Sequence, residues 1–385
     1  MSKKNSPEYP QDTRKQKKKG SGLLGRIVRR FFLLLFTVII LAVVALVLVM
    51  NLVFNGPSPA ARDTLAMSLI EASATKWVPA LFIGEDTVAE IRKSVGVQLK
   101  DEQTDTSKVV IQKYNAITSG TDEWANHPDG IRIEEVYGDT YTAHVMLIRD
   151  PAQVYMGLST HNGFSTAIPG KRIHVAVEDE GAIAAINAGA FFDNGTTDPS
   201  VGSYPLGLVM SEGNCVWESG KQPGLEGFAG FNNENILVVS QKNLSKSQAA
   251  EQGIRDGCCF GPALIINGEV NPAAYNDKSG YNPRTAIGQR SDGVVIFVCI
   301  DGRQAGSMGG YYSDAIDIMQ EYGAVNACNM DGGSSSVMMY RDVNNILNIT
   351  GERDFGNNLK MVNNYSLLQS QPRKMPNYWM VRPAS

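Results

Sequence analysis

The chain has 385 residues, of which 43% are hydrophobic and 19% are charged, and its formal net charge at pH 7 is −4. This length is enough to bury one large hydrophobic core or two smaller ones. Ten of its 35 basic residues lie in the first 30 positions, so the remainder of the chain is clearly acidic, which argues against a nucleic-acid partner.

The first predicted element is a membrane-spanning helix at residues 31–54. This stretch is apolar except for Thr37 and Asn51 and carries no charge, and ~20 such residues are enough to cross a hydrocarbon core of ~30 Å. The ten basic residues precede it, whereas residues 55–61 contain none, so the positive-inside rule places residues 1–30 in the cytoplasm as a basic tail. We therefore expect a single-pass protein of the cell membrane whose large domain is extracellular.

A cleaved signal peptide is the alternative interpretation of this helix. Signal peptides have an apolar core of ~7–15 residues, which is shorter than the present one, and residues 55–61 offer only a weak cleavage site. The pattern therefore favours an uncleaved anchor.

A stalk and linker are predicted between the anchor and the folded domain, at residues 55–130. Residues 62–95 mix apolar and charged side chains at near-helical spacing, which predicts one or two helices. Residues 96–130 are polar and poor in large apolar side chains, which is typical of a linker or of exposed loops. The folded domain is therefore expected to comprise residues 131–385.

The predicted domain is rich in short β-strands, because runs of β-branched and apolar residues alternate with Gly, Asn, Asp and Pro turns. The strands are predicted at residues 141–148, 173–177, 183–187, 236–240, 263–266, 294–300 and 324–328. One clear helix is predicted after Ser313, which is a suitable N-cap, and Gly323 is placed to end it. This pattern predicts the α+β class, with a mixed or largely antiparallel sheet and few helices.

Polar residues follow four of the apolar strands, in segments that also contain glycine or proline. The segments are residues 185–193, 282–288, 298–303 and 327–336. An isolated Asp-Gly pair is most often a turn, an Asn can simply satisfy neighbouring backbone groups, and an Arg can belong to a surface ion pair. The recurrence of the pattern at four strand ends is hard to explain by turns alone, and it predicts a ligand site.

These segments resemble the phosphodiester glycosidase family. The resemblance rests on Asn187-Ala-Gly-x-Phe-Phe-Asp193, Asn282-Pro-Arg-Thr-Ala-Ile-Gly288, Asp301-Gly-Arg303, Asn329-Met-Asp-Gly-Gly-Ser-Ser335 and a closing Arg373-Lys-Met-Pro-Asn377. Ala190 stands where the family commonly has Gly or a similar small residue next to the aromatic pair. The resemblance implies a hydrolase that removes a sugar from a sugar 1-phosphodiester, and bacterial members of the family are linked to cell-wall or exopolysaccharide glycopolymers.

The resemblance and the chemistry of that reaction together suggest roles for the residues. Cleavage at the anomeric carbon needs a carboxylate to activate water or trap the oxocarbenium-like centre, and arginines can stabilise the departing phosphate. The candidate catalytic residues are Asp331, which is the first choice, Asp301 and Asp193. The candidate substrate-binding residues are Asn187, Arg284, Thr285, Arg303, Asn329, Gly332, Gly333, Ser334, Ser335 and Arg373.

Other chemistries find less support in the sequence. His144 lies at alternate spacing on an apolar strand, as is expected equally for a buried histidine and for a site residue. No Gly-x-Ser-x-Gly motif supports a serine nucleophile. No cofactor is expected; Asp and Asn oxygens could bind Ca²⁺, but no EF-hand spacing is present and no metal is assigned. The five cysteines are too few for a disulfide framework, and Cys258-Cys259 is consistent with burial or with a redox role.

Two functions of other classes remain as alternatives. A non-catalytic glycan-binding module of envelope polysaccharide assembly would keep the sugar contacts without needing the carboxylates and arginines. A phosphodiesterase or nuclease would cut the P–O bond instead of the C–O bond, and the acidic domain argues against a polyanionic nucleic-acid substrate. A carbohydrate or glycopolymer is therefore the expected substrate.

Overall fold

The computed structural model describes residues 23–70, 75, 77–95, 103–110, 123–192, 201–220, 226–277, 280–344, 347, 353–364 and 371–384. Its contacts divide the chain into two units, Met1–Gly56 and Pro57–Ser385. The α-helices within the described residues are α1 (Leu23–Phe54), α2 (Pro59–Ile70), α3 (Val78–Val95), α4 (Ile173–Glu180), α5 (Lys246–Glu251), α6 (Pro272–Asn276) and α7 (Tyr312–Glu321).

The strands belong to the second unit. The first eleven are β1 (Ile131–Tyr137), β2 (Thr142–Ile148), β3 (Val154–Leu158), β4 (Lys171–Arg172), β5 (Ala184–Asn187), β6 (Phe191–Phe192), β7 (Tyr204–Pro205), β8 (Leu208–Ser211), β9 (Asn214–Glu218), β10 (Phe228–Asn232) and β11 (Leu237–Ser240). The others are β12 (Ile254–Cys259), β13 (Ala263–Ile266), β14 (Glu269–Val270), β15 (Arg284–Arg290), β16 (Val295–Ile300), β17 (Ala324–Met330), β18 (Met338–Arg341), β19 (Arg353–Asp354), β20 (Leu359–Met361), β21 (Lys374–Met375) and β22 (Asn377–Val381).

The first unit contains α1. Within the described residues, α1 is the one helix that is long and apolar enough to cross a membrane, over Gly25–Phe54 with a mean hydropathy of 3.4. Its large apolar side chains are exposed along its length. A helix of this kind near the N-terminus is a membrane span or a signal sequence.

Three antiparallel sheets form the body of the second unit. A seven-stranded sheet has the order β1-β2-β16-β15-β17-β13-β14, a five-stranded sheet has the order β11-β10-β12-β8-β9, and a six-stranded sheet has the order β19-β20-β18-β5-β22-β3. The two-stranded sheets are β4-β21 and β6-β7. The α+β class predicted from the sequence, strand-rich with few helices, is confirmed.

The seven-stranded sheet has a hydrophobic core on each face. On one face, Ile287 and Phe297 join side chains of the other two large sheets, such as Phe231 and Trp379, in a shared core. On the other face, Ala286 packs with residues of α6 and α7. Since side chains alternate between the faces along a strand, neighbouring residues of β15 lie in different cores.

One predicted strand is wrong. Residues 173–177 are the start of helix α4, which ends where Gly181 adopts a left-handed conformation with φ of 65°. The buried residues of α4 are Ile173, Ala176 and Val177, which are spaced as one face of a helix. Burial of that face against the six-stranded sheet outweighs the strand preference of the β-branched residues.

The predicted helix after Ser313 exists, but it begins earlier. Helix α7 starts at Tyr312 with Tyr311 as its N-cap, and Ser313 is buried in the first turn. The Asp314 carboxylate accepts a hydrogen bond of 2.6 Å from the Tyr311 backbone N–H. An acidic residue at the third helical position can reach back to the cap in this way, so Asp314 determines the start.

Parts of the segment predicted as linker contact the folded body. Gln103 pairs with Ser240 at the free edge of β11, and the Thr104 backbone N–H donates to the Val239 carbonyl at 3.0 Å. The Trp124 side chain is 2% exposed and packs in the core beside α7. Strand β1 begins at Ile131, as the predicted domain does. Residues before it nevertheless pair with the edge strand β11 and fill the core beside α7.

Candidate active site

The six residues after β17 form a tight loop, here called the Asp331 loop (331–336), with a 3₁₀ helix at Gly333–Ser335. The Asp331 backbone N–H donates to the Ala188 carbonyl at 3.1 Å, and that of Gly333 donates to the Pro283 carbonyl at 2.8 Å. A Cβ atom on Gly332 would lie 2.8 Å from the Pro283 oxygen, and Gly333 has φ of 62°. Glycine is therefore required at both positions.

Asn187 at the end of β5 holds this loop from one side. Its side-chain N–H donates to the Asp331 carbonyl at 2.5 Å, and its side-chain oxygen accepts from the Thr285 hydroxyl at 2.8 Å and from the Val337 backbone N–H at 3.1 Å. Asn187 and Thr285 are fully buried. Both side chains thus position the loop from the shared core.

Arg373 contacts the end of the Asp331 loop. Its Nη1 donates to the hydroxyl oxygens of Ser334 at 3.2 Å and Ser335 at 3.3 Å, and its Cζ lies 5.0 Å from the centre of the Phe191 ring. The Arg373 side chain is largely buried and Ser334 is partly exposed. A fixed guanidinium beside two hydroxyls is well suited to bind an anion.

Arg303 lies over the middle of the loop. Its Nη2 donates to the Asn282 side-chain oxygen at 2.9 Å, and its Nη1 would lie 3.3 Å from a Cβ atom on Gly333. The residue is exposed and has a left-handed backbone with φ of 59°. Its guanidinium group therefore reaches both the loop and solvent.

Arg284 lies beside the start of the loop but is buried. Thr285 of β15 pairs with Met330 of β17, so one residue further along this register Arg284 lies next to Asp331. Its Nε donates to the Gly310 carbonyl at 3.2 Å and its Nη2 to the Gly280 carbonyl at 3.3 Å. Its Cζ lies 4.0 Å from the centre of the Tyr312 ring. The pleat directs Arg284 towards α7, whereas Thr285 reaches Asn187 on the opposite face.

Asp301 lies behind the loop, in a buried polar network. One carboxylate oxygen lies 3.3 Å from Nε2 of His144 and accepts from the Asn364 backbone N–H at 3.1 Å, and the other accepts from the Asn363 side chain at 3.2 Å. The same Asn363 nitrogen lies 3.3 Å from the Ser336 carbonyl. Asp301 is 2% exposed. It thus supports the end of the Asp331 loop through Asn363.

The Asn329 side chain points into the core between the seven-stranded sheet and helices α6 and α7, on the same face as its partner Ala286. Its side-chain N–H donates to the Gly261 carbonyl at 2.9 Å, and the residue is 2% exposed. Its side-chain oxygen is buried and has no hydrogen-bond partner among the residues that the structure describes. Asn329 is thus separated from solvent by the strands around it.

The structure brings most of the predicted residues to one loop but gives them different exposure. Asp331 is partly exposed, Arg303 is exposed, and Arg373 borders the partly exposed Ser334. Asp193, the third candidate carboxylate, lies outside the described residues. The sequence patterns give no role to Asn282, which contacts Arg303, or to Asn363, which contacts Asp301. Asn363 follows strand β20 in the same pattern of an apolar strand that ends in an amide residue. That pattern is the signal by which the sequence could identify Asn363.

Two other expectations concern metals and thiols. Among the described residues there is no group of three or more His, Cys, Asp or Glu side chains that could hold a metal ion. All five cysteines are free. Burial raises the pKa of the Cys258 thiol well above its usual range and that of Cys259 to about 11. The burial and raised thiol pKa of these two cysteines favour a role as buried core residues over a redox role.

Comparisons with known proteins agree with the resemblance seen in the sequence. A family model described as phosphodiester glycosidase matches residues 180–382, just over half of the chain. The SPbeta prophage-derived uncharacterized protein YomE of Bacillus subtilis (strain 168) is 26% identical over 192 residues. That match covers 49% of this chain and only 27% of the relative, so the chain spans about a quarter of that protein's length.

The chain is also similar to solved structures, and one of them shares its fold. The zebrafish N-acetylglucosamine-1-phosphodiester α-N-acetylglucosaminidase catalytic domain, auto-inhibited by its pro-peptide, has a TM-score of 0.51 at 19% identity and is matched over 68% of this chain and 85% of that one. A hypothetical protein from Synechocystis has a TM-score of 0.41 at 17% identity, over 66% of this chain and 62% of that one. From the family model, which covers more than half of its residues, the chain belongs to the phosphodiester glycosidase family.

Proposed function

We propose that this protein hydrolyses sugar 1-phosphodiesters at the anomeric carbon. The observation that carries the proposal is the Asp331 loop, where one partly exposed carboxylate lies in a loop bordered by three arginines. A phosphodiester has one negative charge, for which guanidinium groups are suitable partners, and a carboxylate is what the adjacent anomeric centre needs. The family and the zebrafish relative, named for its action on an N-acetylglucosamine 1-phosphodiester, support the same reaction.

In the proposed reaction the bond between the anomeric carbon and the phosphate oxygen breaks. Water supplies the new hydroxyl of the sugar, and the phosphate stays on the leaving group as a monoester. Asp331 either takes a proton from the attacking water or bonds to the sugar first, and the developing phosphate charge is stabilised by Arg303 and Arg373. Because phosphate is a good leaving group, these arginines can do much of the work of a general acid.

Small groups of the loop would complete the site. The hydroxyls of Ser334 and Ser335 lie beside Arg373, and the backbone of Gly332 and Gly333 has no side chain to keep a ligand away. Hydroxyls and backbone N–H groups are the usual partners of sugar hydroxyls and of phosphate oxygens. We assign these four residues to substrate binding.

The orientation of α1 in the membrane would determine on which side the domain meets its substrate. We propose that α1 is an uncleaved span, that residues 1–30 are cytoplasmic and that the domain after it acts on glycopolymers of the cell envelope. The asymmetry of basic residues on the two sides of α1 supports this orientation. A protease added outside intact cells should digest the domain and spare the basic tail, and protection of the domain would reverse the orientation.

Hydrolysis in ¹⁸O water tests the reaction and the position of bond cleavage together. The full-length protein in detergent is incubated with a panel of sugar 1-phosphodiesters, including an N-acetylglucosamine 1-phosphodiester, and the products are weighed by mass spectrometry. Attack at carbon places the label in the released sugar, whereas a phosphodiesterase would place it in phosphate. Binding of these compounds without any product would instead favour the non-catalytic glycan-binding module.

A further inference from the structure

Two large apolar side chains are exposed together at the start of helix α3. Trp77 is 60% exposed and Leu81 is 71% exposed. Trp77 immediately precedes the helix, and Leu81 follows four residues later, which is the spacing of side chains on one helical face. These two residues are here called the Trp77 patch. An exposed patch of large apolar side chains marks a surface that contacts something other than water.

The second half of α3 has the ordinary pattern of a surface helix. Gly84, with φ of 78°, interrupts the helix between the two halves. Beyond it, Val88 and Ile91 are buried, whereas the acidic Asp86 is exposed. Buried apolar and exposed charged side chains are what a helix in water favours. The exposure of large apolar side chains in α3 is thus confined to the part before Gly84.

The Trp77 patch is held in place by the connection between α2 and α3. The Thr75 hydroxyl donates to the Leu69 carbonyl at 3.0 Å, and the Thr75 carbonyl accepts from the Val78 backbone N–H at 2.9 Å. The two helices also pack against each other. The patch is therefore displayed on a fixed pair of helices.

A lipid bilayer is the partner that the surroundings of the patch favour. Helix α1 exposes large apolar side chains along its length, which is the surface that lipid would cover, and its last residue is Phe54. The chain from there to Trp77 is short, and twelve of its residues belong to α2, so a bilayer around α1 is within reach of the patch. Tryptophan is enriched where hydrocarbon meets water, because its ring is apolar and its indole N–H needs a polar partner.

We propose that α3 docks on the membrane surface, with Trp77 and Leu81 inserted between the lipid headgroups. The proposal rests on α1 being an uncleaved span, and it goes beyond the proposed reaction because it concerns a second contact with lipid. Such a contact holds the catalytic domain at the bilayer surface. Glycopolymers that lie close to the membrane are then the ones that the domain can reach.

Quenching of tryptophan fluorescence by brominated lipid tests this contact. The full-length protein is reconstituted into nanodiscs of phosphatidylcholine with or without bromine at the headgroup end of its acyl chains. The emission of Trp77 is the difference between the parent and Trp77→Phe, because the other three of the four tryptophans are present in both. Bromine should remove most of this Trp77 emission.

Two charge substitutions on α3 form a matched pair. Leu81→Glu places a carboxylate in the patch, where insertion would take the charge out of water, so this change should abolish the quenching of Trp77. Ala89→Glu adds the same charge at an exposed position beyond Gly84 and should leave the quenching as in the parent. Each variant is compared with the same variant carrying Trp77→Phe. Both should keep the parental melting temperature, because both positions are exposed.

The outcomes separate the surface contact from the anchor. If the protein does not stay with the nanodiscs, α1 is not a span and the proposal fails with it. If the protein stays and bromine leaves the Trp77 emission unchanged, the anchor stands and the surface contact is refuted. Equal quenching in Leu81→Glu and in the parent also refutes the contact. A Trp77 emission that is blue-shifted by raising the protein concentration, and is not quenched by bromine, would assign the patch to a second copy of this chain instead.

Discussion

Nε2 of His144 lies 3.3 Å from Oδ2 of Asp301, and neither side chain reaches solvent to a meaningful extent. On its other edge, Nδ1 of His144 lies 4.0 Å from a Glu135 carboxylate oxygen. Three groups thus donate to the Asp301 carboxylate: the imidazole, the Asn363 side chain and the Asn364 backbone N–H. This arrangement makes Asp301 a support of the Asp331 loop.

Asp301→Asn should destabilise the fold. An amide has one acceptor oxygen, so it leaves at least one of the three buried donors without a partner, which costs about 1–3 kcal/mol. The free energy of unfolding in urea measures this loss. A double-mutant cycle with His144→Ala should give a coupling of about 0.5–3 kcal/mol, because the two side chains are in contact. Full stability with abolished turnover would instead make Asp301 the catalytic carboxylate.

Asp331→Asn should lower kcat by about 10²–10⁴-fold while the protein stays folded. Activity should fall because the amide cannot act as a base or as a nucleophile. The fold should persist because the backbone of residue 331 makes the hydrogen bonds with Ala188 and Asn187, and the substitution keeps that backbone. Sugar release and the melting temperature are the two measurements. Asp179→Asn, the same change at an exposed position of α4, is the control and should be fully active. A near-parental rate for Asp331→Asn would transfer the role to another carboxylate.

Arg303→Ala and Arg284→Ala should have opposite signatures. Arg303 is exposed, so its loss should raise KM for phosphodiesters by about 10–100-fold, equivalent to one charge-assisted hydrogen bond of about 1.5–3 kcal/mol, with little change in melting temperature. Arg284 is buried between two carbonyls and the Tyr312 ring, so its loss should lower the melting temperature.

The arginine series needs a charge-preserving control. Arg303→Lys should recover part of the affinity, because the ammonium keeps the charge but not the planar pair of donors. If Arg284→Ala proves as stable as the parent and loses phosphodiester binding, the buried arginine is the one that holds phosphate.

A chain that starts at Gln103 should be more stable than one that starts at Ile131. The shorter chain lacks the pairing along β11 and the buried Trp124 side chain, and loss of a buried tryptophan typically costs about 3–5 kcal/mol. Urea denaturation of the two soluble forms gives the comparison. Equal stability would show that residues 103–130 only cover the domain.

Thiol labelling of the native protein at pH 8 should modify Cys215 first. Cys258, Cys259, Cys299 and Cys328 are buried, and burial raises the pKa of each, so their thiolate fraction at this pH is very small. Cys215 is partly exposed, although burial raises its pKa as well. Labelling with a coloured disulfide reagent counts the reactive thiols before and after unfolding. More than one rapidly reacting thiol in the native state would contradict the described packing.

The sequence by itself determined features that depend on local patterns. Periodicity and turn residues indicate the apolar helix α1, most strand positions and the α+β class. The order of the motifs indicates the family. None of these patterns requires knowledge of a tertiary contact. It also identified the segments that meet at the Asp331 loop, because polar residues at strand ends tend to converge where strands share a sheet. The run at residues 173–177 predicts a strand but forms a helix, because its helical face is recognisable only once the sheet beneath it is known.

Only the tertiary structure decided how the candidate residues differ. Asp301 and Asp331 both follow apolar strands and both precede glycine, yet the first is enclosed by His144 and Asn363 while the second stays partly exposed. Arg284 and Thr285 are neighbours in sequence, but the pleat of β15 sends them to opposite faces of the sheet. Exposure and partners depend on strand order and register between distant segments, and no local pattern encodes those.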